Sequence, residues 1–439
     1  MCERDRENPD QIEIRRLVAT ILERRRHDDP LFEDSYILLE RLVSLASTQL
    51  PFESSKADHG LGNSLDEGRF VLAAEPGAIF LIETSRMSIG SQGSIHRVAH
   101  INEDGRAVLV VGKKSFDTSS WFLEKESEVL KALTRWVDSN GAPPRFPRFI
   151  ANLKPRARSE SEDRDTTWLV MERAPGENLH RWLKRNSFDN PRRIHQVLLG
   201  IALALKQIHD GGVVFGDCKS QNTIIELVDD EISSVKLIDF GSASEVDQHG
   251  YLDRMSASFI SGTPACIAPE RIIVPLCLRG VDLPFPLPYL GIGTRSDVYS
   301  FGCTVCDIVC STCPAFHIID DYRAVDRFLE CLNYKEKTSS ERQEIIEEHA
   351  GTMRLINDFS RSLAFAAKTT EEKQEIIESL TMEKGLAELV ARCLDMDPAR
   401  RPDLDDIAAV LEKRMDAGIP CRSPGEVPSP VQESGIVMD

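Results

Sequence analysis

The chain has 439 residues, long enough for one two-lobed enzyme or for about two to three average domains. Its 53 basic and 71 acidic side chains give a net charge of −18, which argues against an electrostatic nucleic-acid surface. The charged N-terminus has no apolar core, and no apolar run approaches the roughly 18 residues of a membrane span, so we expect neither a secretory signal nor membrane binding. The 11 cysteines then predict buried thiols rather than disulfides, in an intracellular protein of the cytoplasm, with the nucleus left open.

Residues 1–50 are predicted to form a helical hairpin outside the main domain. Apolar residues with helical spacing follow Asn8-Pro9, and a second set follows the break at Asp29-Pro30. Such a hairpin could dock a partner, but packing on the main domain is favoured because helical hairpins are common and rarely diagnostic. Residues 51–68 are polar and contain Gly and Ser, which predicts a linker.

Polar side chains follow two apolar runs near the middle of the chain. The first run leads to Asp217, with Lys219 and Asn222 at fixed offsets, and the second leads to Asp239. If both runs are strands, two carboxylates, one ammonium and one amide converge at the strand ends. This set suits phosphoryl transfer, which uses a carboxylate to take a proton, a cation beside the moving phosphate and an Asn–Asp pair to bind Mg²⁺.

The motif Asp217-x-Lys219-x-x-Asn222, followed by Asp239-Phe240-Gly241, resembles the catalytic loop and metal-binding motif of eukaryotic-type Ser/Thr protein kinases. The match departs at Phe215-Gly216, which stands where the family has His-Arg. The resemblance implies that Asp217 is the catalytic base and that Lys219 steadies the γ-phosphate of ATP. It also implies that Asn222 and Asp239 bind Mg²⁺ as the metal ligands.

The resemblance extends over about Ser85 to Lys413 and implies an α+β, bilobal fold. We therefore expect a protein kinase domain over residues 69–413, preceded by the helical extension. Its parts are a small antiparallel β lobe (about 69–174) and a larger helical lobe (about 175–413). Residues 414–439 are rich in Pro, Ser and Gly, which predicts a disordered tail.

The small lobe contains a weak glycine-rich loop between Ile89 and Val98. Glycine lets a backbone approach phosphate oxygens closely, but only Gly90 and Gly93 are present. His96 stands where the family has its third glycine. A plain hairpin turn would explain this pattern about as well.

Lys113 ends an apolar strand fifteen residues after Val98, which is the spacing that the family uses for its phosphate-binding lysine. An ammonium at this place needs an anion, because burying it unpaired is costly. By helical register Glu126 is the expected partner, in preference to Glu124 and Glu128.

The strand that leaves through Pro175-Gly176 resembles the last small-lobe strand and hinge of the family. By this resemblance Met171 borders the adenine pocket, and the backbone of Glu172 and Ala174 bonds the base. Methionine as core filling is compatible with that role. The nucleotide-binding positions implied by the resemblance are Ile89, Gly90, Gly93, Val98, Lys113, Glu126, Met171, Glu172 and Ala174.

Two further motifs concern the architecture of the large lobe. Glu270, at the end of an Ala-Pro-Glu motif, needs a buried arginine, and Arg401 is the matching residue. Asp297 lies in an apolar helix and, by resemblance, bonds the catalytic-loop backbone. Lys219 and Thr263 favour Ser/Thr over Tyr acceptors, again by resemblance.

Four cysteines have a spacing that could be taken for a metal site: Cys303, Cys306, Cys310 and Cys313. The same offsets form one stripe of a straight helix, which cannot fold four thiolates around one ion. Buried thiols are therefore favoured over zinc or an iron–sulfur cluster.

Two elaborations extend the large lobe. Residues 272–292 are apolar and Pro-rich, and could dock a protein substrate or partner or simply pack as a loop. The segments 337–347 and 368–378 both carry Thr-x-x-Glu, a capping box that predicts a helix start. With two copies only, they form a helical elaboration rather than a solenoid.

The leading function is an ATP-dependent Ser/Thr protein kinase that acts on protein substrates with ATP and Mg²⁺. The weak glycine loop and Phe215-Gly216 leave a pseudokinase scaffold as an alternative. A small-molecule kinase of the aminoglycoside or choline type is a third, because those catalytic loops often read Gly-Asp. Since Gly216 replaces the arginine that a loop phosphate usually neutralises, we expect basal activity without strict dependence on phosphorylating Ser256, Ser258 or Ser261.

Overall fold

The computed structural model of the chain separates into two compact units. The N-terminal unit comprises residues 1–134 and 147–173, and the C-terminal unit comprises residues 135–146 and 174–439. The residues described are 9–26, 70–75, 77–89, 93–115, 121–153, 167–186, 190–263, 265–278, 291–312, 338, 341 and 365–422.

The N-terminal unit is built on one antiparallel sheet. Its six strands are β1 (Phe70–Glu75), β2 (Ala78–Ile89), β3 (Gly93–Asn102), β4 (Ala107–Ser115), β5 (Phe149–Leu153) and β6 (Trp168–Glu172). They lie in the order β1-β2-β3-β4-β6-β5, and every neighbouring pair is antiparallel. Val98, Val110 and Val170 lie in the buried core of this sheet. The predicted small antiparallel β lobe is confirmed.

Helix α1 (Pro9–Arg26) precedes the sheet and begins at the proline of the Asn8-Pro9 pattern. Ile14 and Val18, one turn apart, are buried, and the helix contacts β2. Arg15 Nε donates a hydrogen bond to the carbonyl of Asp104 at 3.2 Å. Helix α1 is therefore packed on the sheet. The second helix of the predicted hairpin and the linker lie outside the described residues, so the extent of this extension stays a prediction.

The C-terminal unit is mainly helical, as expected for the large lobe. Helix α2 (Trp121–Asn140) runs from the first unit into it. The helices that follow are α3 (Leu179–Arg185), α4 (Pro191–Asp210), α5 (Arg254–Ala257), α6 (Glu270–Leu278), α7 (Arg295–Cys310), α8 (Thr370–Ser379), α9 (Lys384–Cys393) and α10 (Leu404–Asp416). The short strands are β7 (Glu177–Asn178), β8 (Val213–Val214), β9 (Thr223–Val228), β10 (Glu231–Leu237) and β11 (Ser244–Glu245). They pair as a β10-β9-β7 sheet and a β11-β8 ribbon.

The disordered tail predicted from residue 414 begins too early. Helix α10 continues to Asp416, Cys421 is buried, and Arg422 Nε donates to the carbonyl of Val309 at 2.6 Å. These contacts order the chain as far as residue 422, and residues 423–439 lie outside the described residues.

Helix α4 carries the chain to the loop that contains Asp217. The side chain of Asn190 caps its start by accepting a hydrogen bond from the backbone of Arg192 at 3.0 Å, and Pro191 occupies the first turn. The predicted apolar stripe is buried along its length, at Ile194, Val197, Leu198, Ile201, Leu205 and Ile208. The helix is thus anchored in the core by one face.

The predicted capping boxes are present. At the start of α8, Glu372 N–H donates to Thr369 Oγ1 at 3.2 Å, and Thr369 N–H donates to Glu372 Oε2 at 2.7 Å. Thr338 and Glu341 make the same reciprocal contacts. Most of the helix predicted after Thr338 lies outside the described residues.

The cysteine stripe lies on α7, where Cys303, Cys306 and Cys310 are buried. Burial raises the pKa of the Cys310 thiol to about 12. Cys313 lies outside the described residues. Across the described part of the chain, no group of three or more His, Cys, Asp or Glu side chains is placed to hold a metal ion.

Part of the apolar 272–292 segment belongs to α6, where Ile272 and Ile273 are buried. Residues 279–290 lie outside the described residues, so a docking role for this segment stays a prediction. None of the helices that the structure describes is long and apolar enough to cross a membrane.

Candidate active site

One buried carboxylate, Asp297 in α7, holds the backbone that precedes Asp217. Its Oδ2 accepts a hydrogen bond from Phe215 N–H at 2.7 Å, and its Oδ1 accepts one from Gly216 N–H at 2.7 Å. His209 Nε2 lies 2.8 Å from the same Oδ2. The predicted contact between Asp297 and the loop backbone is therefore present, and it fixes the chain just before Asp217.

The carboxylate of Asp217 is the centre of a polar network. Its Oδ1 accepts hydrogen bonds from the backbone N–H and the hydroxyl of Thr263, at 2.9 and 2.8 Å. Its Oδ2 lies 2.7 Å from Lys219 Nζ and accepts a hydrogen bond from Asn222 Nδ2 at 2.9 Å. Lys219 Nζ also donates to the hydroxyl of Thr263 at 2.6 Å. Three of the predicted site residues therefore meet, and Thr263 joins them.

Asp239 is placed beside Asn222 by the backbone, because Ile238 N–H donates to the carbonyl of Asn222 at 2.8 Å. Asn222 Nδ2 donates hydrogen bonds to the backbone carbonyl and to Oδ2 of Asp217. The Oδ1 of Asn222 has no donor among the described residues. Asp239 has a φ of +68°, which is uncommon for a residue with a side chain and recurs at functional sites. An amide oxygen and a carboxylate are oxygen ligands of the kind that Mg²⁺ takes, so this pair fits the ion.

Phe215, which replaces the family histidine, is a packing residue. Its ring is fully buried and lies edge-to-face with Phe240, with the ring centroids 5.1 Å apart. Phe146 packs on the same ring of Phe240 at 6.0 Å. These contacts fix the residue that follows Asp239 without involving the polar network around Asp217.

Gly216, which replaces the family arginine, lies against an arginine from elsewhere. A Cβ on Gly216 would lie 2.7 Å from Nη2 of Arg271 and 2.6 Å from the carbonyl oxygen of Ser242. The expectation that loop phosphorylation is dispensable rests on the glycine at position 216 and stays a prediction, but a guanidinium, that of Arg271, lies at this place. The role of Arg271 was not predicted from the sequence. Its signal is a cation that follows Glu270 directly and opens the apolar run of α6.

In the N-terminal unit, Lys113 and Glu126 form a buried ion pair. The Nζ of Lys113, in β4, donates to Oε2 of Glu126, in α2, at 2.7 Å. The side chains are 7% and 2% exposed. Glu128 is largely exposed and pairs with Lys131 instead. Glu126 is therefore the partner of Lys113, as its helical register predicted.

The weak glycine loop has a defined structure in its second half. A Cβ on Gly93 would lie 2.3 Å from the carbonyl oxygen of Lys114, so glycine is needed there for the pairing of β3 with β4. His96 is buried, with Nε2 2.8 Å from the hydroxyl of Ser94 and Nδ1 2.9 Å from the carbonyl of Glu83. Gly90 lies outside the described residues, and of Ile89 only the backbone at the end of β2 is described.

The other nucleotide-binding positions predicted in this region lie in or after the sheet. Val98 and Met171 are buried in β3 and β6. The backbone N–H of Glu172 donates to the carbonyl of Arg148 at 2.9 Å, so this N–H is not available to a base. Ala174 is half-buried at the start of the second part of the C-terminal unit.

The predicted pair of Glu270 and Arg401 is present and bidentate. Arg401 Nη1 and Nη2 donate to the two carboxylate oxygens of Glu270 at 2.6 and 2.8 Å. Both side chains are almost completely buried. The guanidinium carbon also lies 5.2 Å from the ring centroid of Tyr299. This pair anchors the start of α6, and with it Arg271.

Comparison with known sequences identifies one family. A sequence model described as protein kinase domain matches residues 156–411, which is more than half of the chain. The matched range contains Asp217, Asn222 and Asp239, whereas Lys113 and Glu126 precede it.

Individual relatives are similar over parts of their length. Probable serine/threonine-protein kinase 2 of Plasmodium falciparum is 29% identical over 156 residues, which are 36% of this chain and 26% of the relative. Serine/threonine-protein kinase pkn3 of Myxococcus xanthus is 28% identical over 226 residues, 51% of this chain and 36% of the relative. Mitogen-activated protein kinase kinase kinase 17 of Arabidopsis thaliana is 28% identical over 226 residues, 51% of this chain and 50% of the relative. The chain thus spans half or less of each of these proteins.

Proposed function

Because the chain belongs to the protein kinase domain family, we propose that it is an ATP-dependent serine/threonine protein kinase. It would transfer the γ-phosphate of ATP to hydroxyl groups of protein substrates. The observation that carries this proposal is the polar network in which Asp217 meets Lys219, Asn222 and Thr263. The network is complete although Phe215-Gly216 replaces the family sequence before it.

Asp217 is the proposed catalytic base. Its carboxylate would accept the proton of the acceptor hydroxyl and orient that hydroxyl toward the phosphate. Lys219, 2.7 Å from Asp217 Oδ2, would place its positive charge beside the transferred phosphate. Thr263 holds both groups from one side, since its hydroxyl bonds Asp217 and Lys219. With Lys219, it supports a Ser/Thr rather than a Tyr acceptor by family resemblance.

Asn222 and Asp239 are the proposed metal ligands. The Oδ1 of Asn222 and the carboxylate of Asp239 would hold Mg²⁺, which supplies charge neutralisation on the nucleotide phosphates when bound. Lys113 would contact the α- and β-phosphates, and Glu126 keeps its ammonium in place. Ile89, Gly90, Gly93, Val98, Met171, Glu172 and Ala174 remain the proposed nucleotide-binding positions.

A scaffold that keeps the fold without catalysis is the second candidate, and His96 is the observation that favours it. This side chain is fixed by Ser94 and Glu83 where the family has glycine. A small-molecule kinase is disfavoured, because the buried Glu270–Arg401 pair matches a protein kinase motif.

A panel of acceptors separates the three functions. The purified protein is incubated with Mg²⁺ and radiolabelled ATP, together with Ser, Thr or Tyr peptides, generic proteins, an amino sugar or an amino alcohol. We expect label on Ser and Thr only, and none when the metal is chelated. Transfer to the amino sugar or amino alcohol alone would support a small-molecule kinase. Nucleotide binding without transfer by folded protein would support the scaffold.

A further inference from the structure

Arg271, in the first turn of α6, is a buried cation that the proposed transfer chemistry does not use. The residue is only 3% exposed. Nη2 donates to the hydroxyl of Ser261 at 2.7 Å and to the carbonyl of Ser242 at 3.3 Å. Nε and Nη1 are buried and have no hydrogen-bond partner among the described residues. Because buried polar groups are normally hydrogen-bonded, these two nitrogens indicate a missing acceptor.

The acidic groups near Arg271 do not fill this role. Burial lowers the pKa of the Arg271 guanidinium, while the charges of Asp297, Glu270 and Asp217 oppose that effect. The guanidinium nevertheless stays charged at neutral pH. Each of the three carboxylates is committed elsewhere: Asp297 to the loop backbone, Glu270 to Arg401, and Asp217 to its own network. The unpartnered side of Arg271 therefore needs an acceptor that none of them supplies.

Gly216 makes room for this cation. A side chain at position 216 would collide with Nη2 of Arg271, because even a Cβ would lie only 2.7 Å away. The glycine that departs from the family sequence and the arginine at position 271 are thus two parts of one arrangement. The arrangement presents a guanidinium to Ser261 from helix α6 instead of from the catalytic loop.

We propose that Ser261 is a phosphorylation site and that Arg271 is the receptor for its phosphate. A phosphate on this hydroxyl would bring three strong acceptor oxygens to a guanidinium that already touches the oxygen carrying them. The step moves the γ-phosphoryl group of ATP to Ser261 Oγ. The Oγ–P bond forms, the bond to the β-bridging oxygen breaks, ADP leaves with that electron pair, and the hydroxyl proton is released. Either this chain or another kinase could supply the step, so the proposal does not rest on the chain's own activity.

The position of Ser261 connects the modification to the catalytic loop. Ser261 lies two residues before Thr263, whose backbone and hydroxyl both bond Asp217. Fixing a phosphate on Arg271 would therefore hold the segment that carries Thr263. Ser256, in the same segment, is the matched control. Its hydroxyl donates to a carboxylate oxygen of Asp253 at 2.9 Å, so a phosphate there would meet a negative charge.

The test compares two proteins, each with phosphoserine incorporated at one position only, 261 or 256. Phosphorus NMR follows the last proton loss of each phosphate across pH, and thermal unfolding gives each Tm. With Arg271 present, we expect the phosphate at 261 to lose its proton about one pH unit lower than the phosphate at 256. We also expect a Tm about 3 °C above that of the unmodified protein. In Arg271→Met the phosphate at 261 should lose its proton at a higher pH than with Arg271 present and the Tm gain should disappear, while the phosphate at 256 should titrate as before. Arg271→Lys should keep part of both effects.

Equal titration of the two phosphates would overturn the proposal. A phospho-261 protein that does not fold, beside a phospho-256 protein that does, would overturn it as well, because the site then rejects the anion. If Arg271→Met itself fails to fold, the Tm of the phospho-261 protein decides, since this protein retains Arg271: a Tm no higher than that of the unmodified protein would overturn the proposal.

Discussion

Lys113 Nζ lies 2.7 Å from Glu126 Oε2, and the pair is buried between strand β4 and helix α2. Neither charge is stable alone in such surroundings, because the desolvation of an unpaired ion is costly. The pair holds an ammonium at a fixed place at the end of an apolar strand. It is the contact on which the proposed phosphate-binding role of Lys113 depends.

Removing Glu126 should destabilise the protein. Glu126→Ala removes the carboxylate that pairs with the buried Lys113 ammonium, and we expect a loss of about 3–5 kcal/mol in the free energy of unfolding. Glu128→Ala is the control, because Glu128 lies on the same helix and is 67% exposed. It should change the stability by less than about 0.5 kcal/mol. Urea unfolding measures both, and equal losses would contradict the assignment.

The Glu270–Arg401 pair should behave in the same way. Arg401→Ala leaves Glu270 buried without a partner, with an expected loss of about 3–5 kcal/mol. Its neighbour Arg400 is 75% exposed, so Arg400→Ala is the matched control and should be nearly neutral. Replacing Glu270 and Arg401 together by methionine should cost less than Arg401→Ala alone, because no buried charge remains. A double variant less stable than Arg401→Ala would show that the pair contributes more than mutual neutralisation.

Alanine substitutions at Gly216 and Gly212 should distinguish the cost of backbone strain from the cost of a steric collision. Both have positive φ, +81° and +76°, but a Cβ on Gly212 meets no atom within 4 Å. Gly212→Ala should therefore lose about 1 kcal/mol, the cost of the conformation. Gly216→Ala adds contacts at 2.6–2.7 Å with Ser242 and Arg271, and should lose about 3 kcal/mol. Urea unfolding measures both losses. Equal losses would mean that Arg271 moves aside at no cost, and would contradict the predicted collision.

The burial of Lys373 should make the stability of the protein depend on pH. Burial lowers the pKa of its ammonium from 10.5 to about 8, although the carboxylate of Asp395 opposes this. Between these values the unfolded chain binds the proton that the folded chain has released, so the free energy of unfolding should rise with pH from about 8 to 10.5. Lys373→Met should remove this rise and stabilise the protein by about 2 kcal/mol at neutral pH.

The control for that experiment is Lys384→Met, because Lys384 is exposed at the start of α9. Chemical denaturation at several pH values measures the two variants beside the wild type. The Lys384 variant should keep the wild-type rise. If the Lys373 variant keeps it too, another group is responsible.

Helix starts and ion pairs could be predicted from the sequence, because a few residues at a fixed spacing determine them. The capping box of Thr369 and the Asn190-Pro191 pair predicted helix starts that the structure contains. Helical register predicted the pairing of Lys113 with Glu126, and family motifs predicted that of Glu270 with Arg401. In each case the residue type has one physical need, and few residues in the chain can meet it.

Contacts made by packing could not be read in this way. Gly216 and Arg271 are far apart in sequence, and a glycine carries no signal for the group that will fill the space beside it. His96 is held by a backbone carbonyl of Glu83, which any residue type could supply. The capping box predicted α8 but not which face would be buried, so the position of Lys373 went unnoticed. These relationships depend on how distant elements meet in the folded chain.

The rate of phosphoryl transfer in Asp217→Asn tests the central proposal most directly. The substitution keeps the size of the side chain but removes the proposed base. Asp229→Asn, the same change on an exposed turn, is the control. With saturating Mg²⁺ and ATP and a Ser/Thr peptide, we expect Asp217→Asn to be slower by at least about 100-fold and Asp229→Asn to match the wild type. A folded wild-type protein without transfer, or an Asp217→Asn variant as fast as the wild type, would contradict the assignment of this loop as the catalytic site.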